Sequence, residues 1–175
     1  MRLDPVQSGF TLPVSYVNAE QAMIAVGQKA PDLTLDDQKG QRVTLSGLWG
    51  KGPVVLYFYP KDETPGCTAQ ACGFRDAYST FKDAGAEVVG VSSDDATSHS
   101  KFADHHRLPF VLLADTNGAA RKAFGVKKTL GILPGRTTFV IDSQGVVQHV
   151  FDSQLRPTAH VGEALDIVKR LARTG

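Results

Sequence analysis

Cysteine and tryptophan are scarce in this chain of 175 residues, which has two cysteines and one tryptophan. Two thiols are too few for the disulfide framework of a small secreted domain. Charge is nearly balanced, with a formal net charge of +1, so no basic field favours nucleic acid or an anionic membrane as a partner. No apolar run approaches the roughly 20 residues that a membrane helix needs.

Targeting signals are also lacking in the first residues, MRLDPVQSGFTLPVSYVNAE. They contain no unbroken apolar segment of the secretory type, and their acidic residues and single arginine do not match an arginine-rich transit peptide. We therefore expect a cytoplasmic protein, in which thiols are held reduced. A structural disulfide is not expected there, which favours a catalytic or redox-sensing pair of cysteines.

The order of the apolar patterns predicts an α/β fold in a single domain. The run PVVLYFY at 53–59 is typical of a strand buried on both faces. Other predicted elements are strands at 86–92 and 110–114, helices at 68–84, 98–106, 117–126 and 158–172, and hairpins at 32–45 and 137–151. We expect a mixed central sheet flanked by helices, with an N-terminal β-hairpin. Residues 1–26 are interpreted as an N-terminal extension of unknown role, and 27–175 as the domain.

Both cysteines lie in the stretch YFYPKDETPGCTAQAC, residues 57–72. The buried strand ends at Pro60, and Thr64-Pro65-Gly66 leads into the next helix, so Cys67 falls in or near its first turn. Unpaired N–H groups and the positive end of the helix dipole favour an anion at that place. The sequence therefore predicts a thiolate nucleophile at the edge of the sheet.

The spacing of Cys72 from Cys67 constrains what the pair can do. In an ideal helix, residues five apart are separated by about 140° of rotation and about 7.5 Å of rise, which places their Cα atoms about 8.7 Å apart. A disulfide needs a Cα separation of less than about 7 Å. A bond between the two cysteines therefore requires the start of the helix to unwind.

Other readings of these residues remain open at this point. Both cysteines fit a role as small buried apolar residues, the commonest place for free cysteine. A zinc site is disfavoured because two thiolates five apart lack a matching second ligand pair. Surface positions are expected for three histidines and three loop charges: His99, His105, His106, Lys61, Asp62 and Glu63. The glycines of GLWGKGP at 47–53 precede a strand and do not form a nucleotide-binding loop.

The motif Pro60-x-x-x-Thr64-x-x-Cys67 resembles the active-site motif of peroxiredoxins. The longer stretch YPKDETPGCTAQACGFRD is similar to the peroxiredoxin Q subfamily, also called bacterioferritin comigratory proteins. Segments such as GQKAPDLTLDDQKGQRVTLS and GRTTFVIDSQGVV resemble the subfamily in the same order. The resemblance runs from about residue 27 to the C-terminus.

This resemblance implies a thioredoxin-like fold and a thiol-dependent peroxidase of antioxidant defence, acting on hydrogen peroxide and organic hydroperoxides. Cys67 would be the peroxidatic residue, and Cys72 the resolving residue of a disulfide reduced by thioredoxin. Thr64 would place its hydroxyl by the thiolate, Pro60 would shield the thiolate from water, and Arg136 would hold it and polarise the peroxide. The resemblance implies no cofactor, no metal and a monomer.

Simpler roles for the supporting residues are also open, because Thr64 fits a helix N-cap, Pro60 a strand end and Arg136 a surface position. Two other functions share the same residues. A peroxide sensor would pass its oxidation to a partner protein. A general thiol–disulfide oxidoreductase would act without peroxide, although that class usually carries Cys-x-x-Cys, which is absent here.

Overall fold

A computed structural model describes residues 21–175 of the chain. The strands are β1 (Thr34–Asp37), β2 (Arg42–Thr44), β3 (Val54–Phe58), β4 (Glu87–Ser92), β5 (Val111–Ala114), β6 (Thr137–Ile141) and β7 (Val147–Asp152). The helices are α1 (Ser46–Trp49), α2 (Pro65–Asp76), α3 (Tyr78–Asp83), α4 (Ala96–His106), α5 (Ala119–Phe124) and α6 (Ala159–Thr174). None of the helices in this part of the chain combines the length and apolarity needed to cross a membrane.

The described strands form one seven-stranded sheet in the order β2-β1-β5-β4-β3-β6-β7. Strand β3 pairs in parallel with β4 and antiparallel with β6, and β4 pairs in parallel with β5. The sheet is therefore mixed and flanked by helices, as the sequence predicted. Strands β1 and β2 pair antiparallel as an N-terminal hairpin, and β6 and β7 form the second hairpin.

Strand β3 is buried on both faces, and its side chains alternate between two apolar cores. Val55 and Tyr57 face the core under α2, α3, α4 and α6, whereas Leu56 and Phe58 face the core under α1 and α5. Continuous apolar sequence is needed for a strand covered on both sides. The run of apolar residues before the cysteine motif therefore places that motif at the end of an interior strand of the sheet.

The single helix predicted at 68–84 is divided into α2 and α3 at Ala77. Ala77 has φ −92° and ψ −1°, outside helical geometry and in the bridge region. The apolar pattern continues across the break, since Phe74 and Phe81 both enter the same core. Apolar spacing alone therefore could not reveal the break.

Part of the predicted extension packs against the domain, while residues 1–20 lie outside the described residues. The backbone N–H of Ile24 donates to the carbonyl of Phe124 at 3.2 Å, and the Ile24 side chain is buried. At Gly125, a Cβ atom would lie 2.4 Å from the carbonyl oxygen of Ala22, so the close approach requires glycine. The domain boundary at residue 26 stays a prediction.

Candidate active site

Cys67 is the third residue of α2 and is almost fully buried, with 1% of its surface exposed. The helix begins with Pro65, whose fixed φ and missing N–H suit the first helical position. The N–H groups of residues 66 and 67 lie in the first turn, where a helix has no carbonyl of its own to accept them. Both helix polarity and these donors favour negative charge on the Cys67 sulfur.

Arg136 provides the one formal charge that touches this sulfur among the hydrogen bonds of the described residues. Its Nη2 donates to Cys67 Sγ at 3.4 Å, and its side chain is buried, with 4% exposed. Arg136 lies immediately before β6, which neighbours β3 in the sheet. Gly66 leaves room for the contact, because a Cβ there would lie 3.2 Å from Arg136 Nη2.

Gln70 completes the surroundings of the guanidinium and was not identified from the sequence. Its Oε1 accepts a hydrogen bond from Arg136 Nη1. Gln70 Nε2 and Arg136 Nε are buried and have no hydrogen-bond partner within residues 21–175. The sequence did hold a signal for Gln70, since it follows Cys67 by three residues and so shares its helix face.

Thr64 occupies the N-cap position of α2 with extended backbone angles, φ −81° and ψ 148°. Its hydroxyl donates to the carbonyl of Lys61 at 2.9 Å and makes no side-chain cap of the helix. Pro60 is half-buried at the beginning of the same loop. The structure therefore brings Cys67 and Arg136 into direct contact, while Thr64 and Pro60 belong to the loop before them.

Cys72 lies in α2 together with Cys67, and both are free thiols. Cys72 is half-buried, and its neighbour Gly73 packs against α6, where a Cβ would lie 3.0 Å from Val161 Cγ2. With the helix intact from Pro65, ideal geometry keeps the two Cα atoms about 8.7 Å apart. This conformation is the folded, reduced one, in which the two sulfurs are held apart.

The structure contradicts the surface positions predicted for Asp62 and His99. Asp62 is 5% exposed and His99 is fully buried. The carboxylate of Asp62 accepts hydrogen bonds from Tyr59 Oη at 2.7 Å and Ser98 Oγ at 2.8 Å, and His99 Nδ1 lies 2.8 Å from it. Burial acts to raise the pKa of Asp62, but the hydrogen bonds from His99, Tyr59 and Ser98 outweigh it and lower the pKa below its usual value.

This buried network fixes the loop that precedes the cysteine. His99 lies on α4, and its Nε2 donates to the carbonyl of Leu113 on β5 at 3.1 Å, while the backbone N–H of Asp62 donates to Asp94 at 2.9 Å. The loop is thereby joined to a helix and a strand that are remote in sequence. Of the other predicted surface residues, Lys61, Glu63 and His105 are exposed, and His106 is half-buried.

Comparison with known proteins identifies the family. The AhpC/TSA family matches residues 26–150. A peroxiredoxin Q from wheat, Triticum aestivum, is 54% identical over 149 residues, which cover 85% of this chain and 68% of the relative. The chain belongs to the peroxiredoxin Q subfamily. It is therefore a thiol-dependent peroxidase with an antioxidant function, as the resemblance implied.

Solved structures of peroxiredoxins agree with this fold. A peroxidoxin from Mycobacterium tuberculosis is 42% identical, with a TM-score of 0.78 over 83% of this chain and 97% of its own. A bacterioferritin comigratory protein from Xanthomonas campestris, studied for alkyl peroxide reduction, is 30% identical, with a TM-score of 0.76 over 87% of this chain and 99% of its own. The predicted thioredoxin-like fold is confirmed.

The predicted cytoplasmic location is contradicted by these relatives. The wheat peroxiredoxin Q and the other plant relatives are named chloroplastic. The prediction depended on the absence of a recognisable signal in the first residues, and such an absence does not determine a compartment. The chemical argument for Cys67 is unaffected, because it depends on helix position and on Arg136.

Proposed function

We propose that this peroxiredoxin works by a two-cysteine cycle in which Cys67 is peroxidatic and Cys72 resolving. The Cys67 thiolate attacks the distal peroxide oxygen and the O–O bond breaks. The bonding electrons leave with the other oxygen, which takes up a proton and departs as water or an alcohol, and Cys67 becomes a sulfenic acid. The Cys72 thiol then displaces that hydroxyl as water, forming a Cys67–Cys72 disulfide. A dithiol, thioredoxin in our proposal, reduces the disulfide by exchange.

The observation that carries this proposal is the 3.4 Å contact between Arg136 Nη2 and Cys67 Sγ in a buried site. Arginine suits this role because its guanidinium stays charged and presents several donors in one plane. Gln70 Nε2 and Arg136 Nε, which have no hydrogen-bond partner among residues 21–175, are further donors on the two residues next to Cys67 in this cluster. Such preorganised donors stabilise charge that develops on the peroxide oxygens as the bond breaks.

Thr64 and Pro60 act through the loop in this proposal. The Thr64 hydroxyl donates to the Lys61 carbonyl within the loop before Cys67, and in this proposal it turns towards the thiolate when peroxide binds. Half-buried Pro60 covers the end of β3 and limits access of water. Both roles, of Thr64 and of Pro60, are part of the two-cysteine cycle that we propose.

Exposed apolar side chains lie in the two chain segments that adjoin Arg136. Leu130, Ile132 and Leu155 are exposed, each by more than three quarters of its surface (87%, 79% and 89%). The segment of Leu155 joins the site where the backbone N–H of Ser153 donates to the Arg136 carbonyl at 3.3 Å. Exposed apolar side chains of this size favour contact with an apolar ligand or partner. We therefore propose alkyl hydroperoxides as substrates besides hydrogen peroxide. A monomer as the working form is a separate part of the proposal, and the resemblance to the subfamily supports it.

Intact mass spectrometry of the reduced protein, quenched rapidly after one equivalent of hydrogen peroxide, tests the cycle. We expect the loss of two hydrogens, mapped to a Cys67–Cys72 linkage. In Cys72→Ser the product should instead gain one oxygen on Cys67, and in Cys67→Ser no rapid change should occur. A gain of one oxygen that persists in the unaltered protein would contradict resolution by Cys72 and favour the sensor function. No reaction at all would contradict the peroxidatic role of Cys67.

A further inference from the structure

Three side chains with metal-ligating atoms converge beside the active-site loop. Glu63 belongs to the loop between β3 and α2, whereas His105 and His106 are the last two residues of α4. Glu63 Oε1 lies 3.0 Å from His105 Nδ1, and Glu63 Oε2 lies 3.0 Å from His106 Nε2. One ligand atom from each residue falls within 4.8 Å of the others.

The convergence is built by the local structure. Neighbouring helix residues normally point about 100° apart, yet the two imidazole rings stack with centroids 4.3 Å apart and 29° between planes. His106 packs edge-on against Phe102 at 5.0 Å, and its carbonyl accepts a hydrogen bond from Arg75 at 2.8 Å. Glu63 has φ 59°, a left-handed conformation that is uncommon outside glycine.

We propose that Glu63, His105 and His106 form a binding site for a divalent first-row metal ion of the zinc class. Imidazole nitrogen and carboxylate oxygen are ligands that zinc, copper and nickel share. At zinc–ligand lengths of about 2.0–2.1 Å, two tetrahedral ligand atoms lie about 3.3 Å apart. Here each histidine nitrogen lies 3.0 Å from a different oxygen of Glu63, and one ligand atom from each residue lies within 4.8 Å of the others, so small side-chain movements would bring the three atoms around one ion. Glu63 and His105 are exposed, so the fourth position faces water.

An ion bound here would take the place of the two hydrogen bonds that now join Glu63 to His105 and His106. Metal binding requires an ionised carboxylate and neutral imidazole. The site is spatially separate from the sulfur and its arginine, because none of its three residues touches Cys67 or Arg136 through a hydrogen bond in the described part of the chain.

Calorimetric titration with Zn²⁺ tests the site in full-length, tag-free Cys67→Ser/Cys72→Ser protein, in which the thiols cannot compete for the ion. We expect one ion per chain, and a loss of affinity of about tenfold or more in Glu63→Gln and in His105→Asn. His149→Asn is the matched control, since His149 pairs with Glu163 at 3.2 Å without a second histidine, and its affinity should be unchanged. Absence of binding, or equal binding in all variants, would overturn the proposal.

A metal ion bound by Glu63, His105 and His106 would join the active-site loop to α4. The loop residue, Glu63, lies four residues before Cys67. This consequence rests on the proposed cycle, in which the start of α2 unwinds, and predicts that Zn²⁺ slows disulfide formation in the unaltered protein but not in Glu63→Gln. Equal slowing in both would show that the ion acts at the thiols and would overturn this consequence. The calorimetric result on the thiol-free protein separates that failure from a failure of the peroxidase cycle.

Discussion

Buried His160 should make this peroxiredoxin lose stability on mild acidification. His160 lies in the first turn of α6 and is fully buried. Its Nε2 donates to the Ser153 carbonyl at 2.9 Å, which leaves Nδ1 to accept from the Thr138 hydroxyl at 2.8 Å. Burial lowers the pKa of His160 from 6.5 to about 4, and nearby Arg136 also disfavours the proton.

The size and sign of the effect follow from linkage. The unfolded chain takes up a proton on this histidine as the pH falls below about 6.5, while the folded chain does so only near pH 4. The contribution of His160 to the free energy of unfolding is therefore complete above pH 6.5 and decreases as the pH falls. Between about pH 7.5 and pH 5, the loss amounts to about 2 kcal/mol.

Urea unfolding of the reduced protein at these two pH values measures this loss, with buried Trp49 as the fluorescent probe. His160→Gln keeps one acceptor and one donor but does not titrate, so its free energy of unfolding should fall by about 2 kcal/mol less between the two pH values. His149→Gln, at a partly exposed histidine, should retain the full dependence. Equal losses in His160→Gln and the unaltered protein would refute the reasoning.

Three further substitutions test the site and its supports. Arg136→Leu should slow the reaction with peroxide by about 100-fold or more, measured by stopped flow, because a preorganised donor is lost; an unchanged rate would remove Arg136 from the mechanism. Asp62→Asn should lower the free energy of unfolding by about 3–5 kcal/mol, since the buried histidine loses the charge of its partner and the amide has one accepting oxygen for three donors. Asp36→Asn, at an exposed pair with a 3.9 Å separation, should cost less than about 1 kcal/mol. Similar costs for the two substitutions would contradict the role of burial. Gly90→Ala should lower the free energy of unfolding in urea by about 1–3 kcal/mol, because its Cβ would lie 2.7 Å from a leucine methyl carbon. Gly162→Ala, where a Cβ would meet open space, should instead stabilise α6 by about 0.5–1 kcal/mol. An unchanged stability of Gly90→Ala would contradict the predicted clash.

Local patterns account for the parts of the fold and site that the sequence predicted. The apolar run that became β3 needs no information from elsewhere in the chain, because only a doubly covered strand accommodates it. The position of Cys67 in the first turn of α2 likewise follows from the Thr-Pro-Gly that precedes it. In both cases the residues that decide the structure are neighbours in sequence.

The missed features depend on partners that are distant in sequence. Asp62 stands between a lysine and a glutamate that are both exposed, so its neighbours indicate a solvated loop. Its burial arises from His99, which is 37 residues away and reaches it from α4. The contact of Arg136 with Cys67 spans 69 residues and was predicted only through the family resemblance.

The buried hydrogen bonds of the Asp62 carboxylate also fix the position of the loop relative to the rest of the domain. In the proposed cycle, the helix start opens and closes once for every peroxide consumed, and each closure must restore the same geometry around the sulfur. The bonds to Asp62 keep the preceding residues in place, so each of them is spared the backbone ordering cost of about 1–2 kcal/mol. In that cycle the segment that changes conformation begins after Asp62, so only the start of α2 has to refold after each turnover while the residues before it keep their positions.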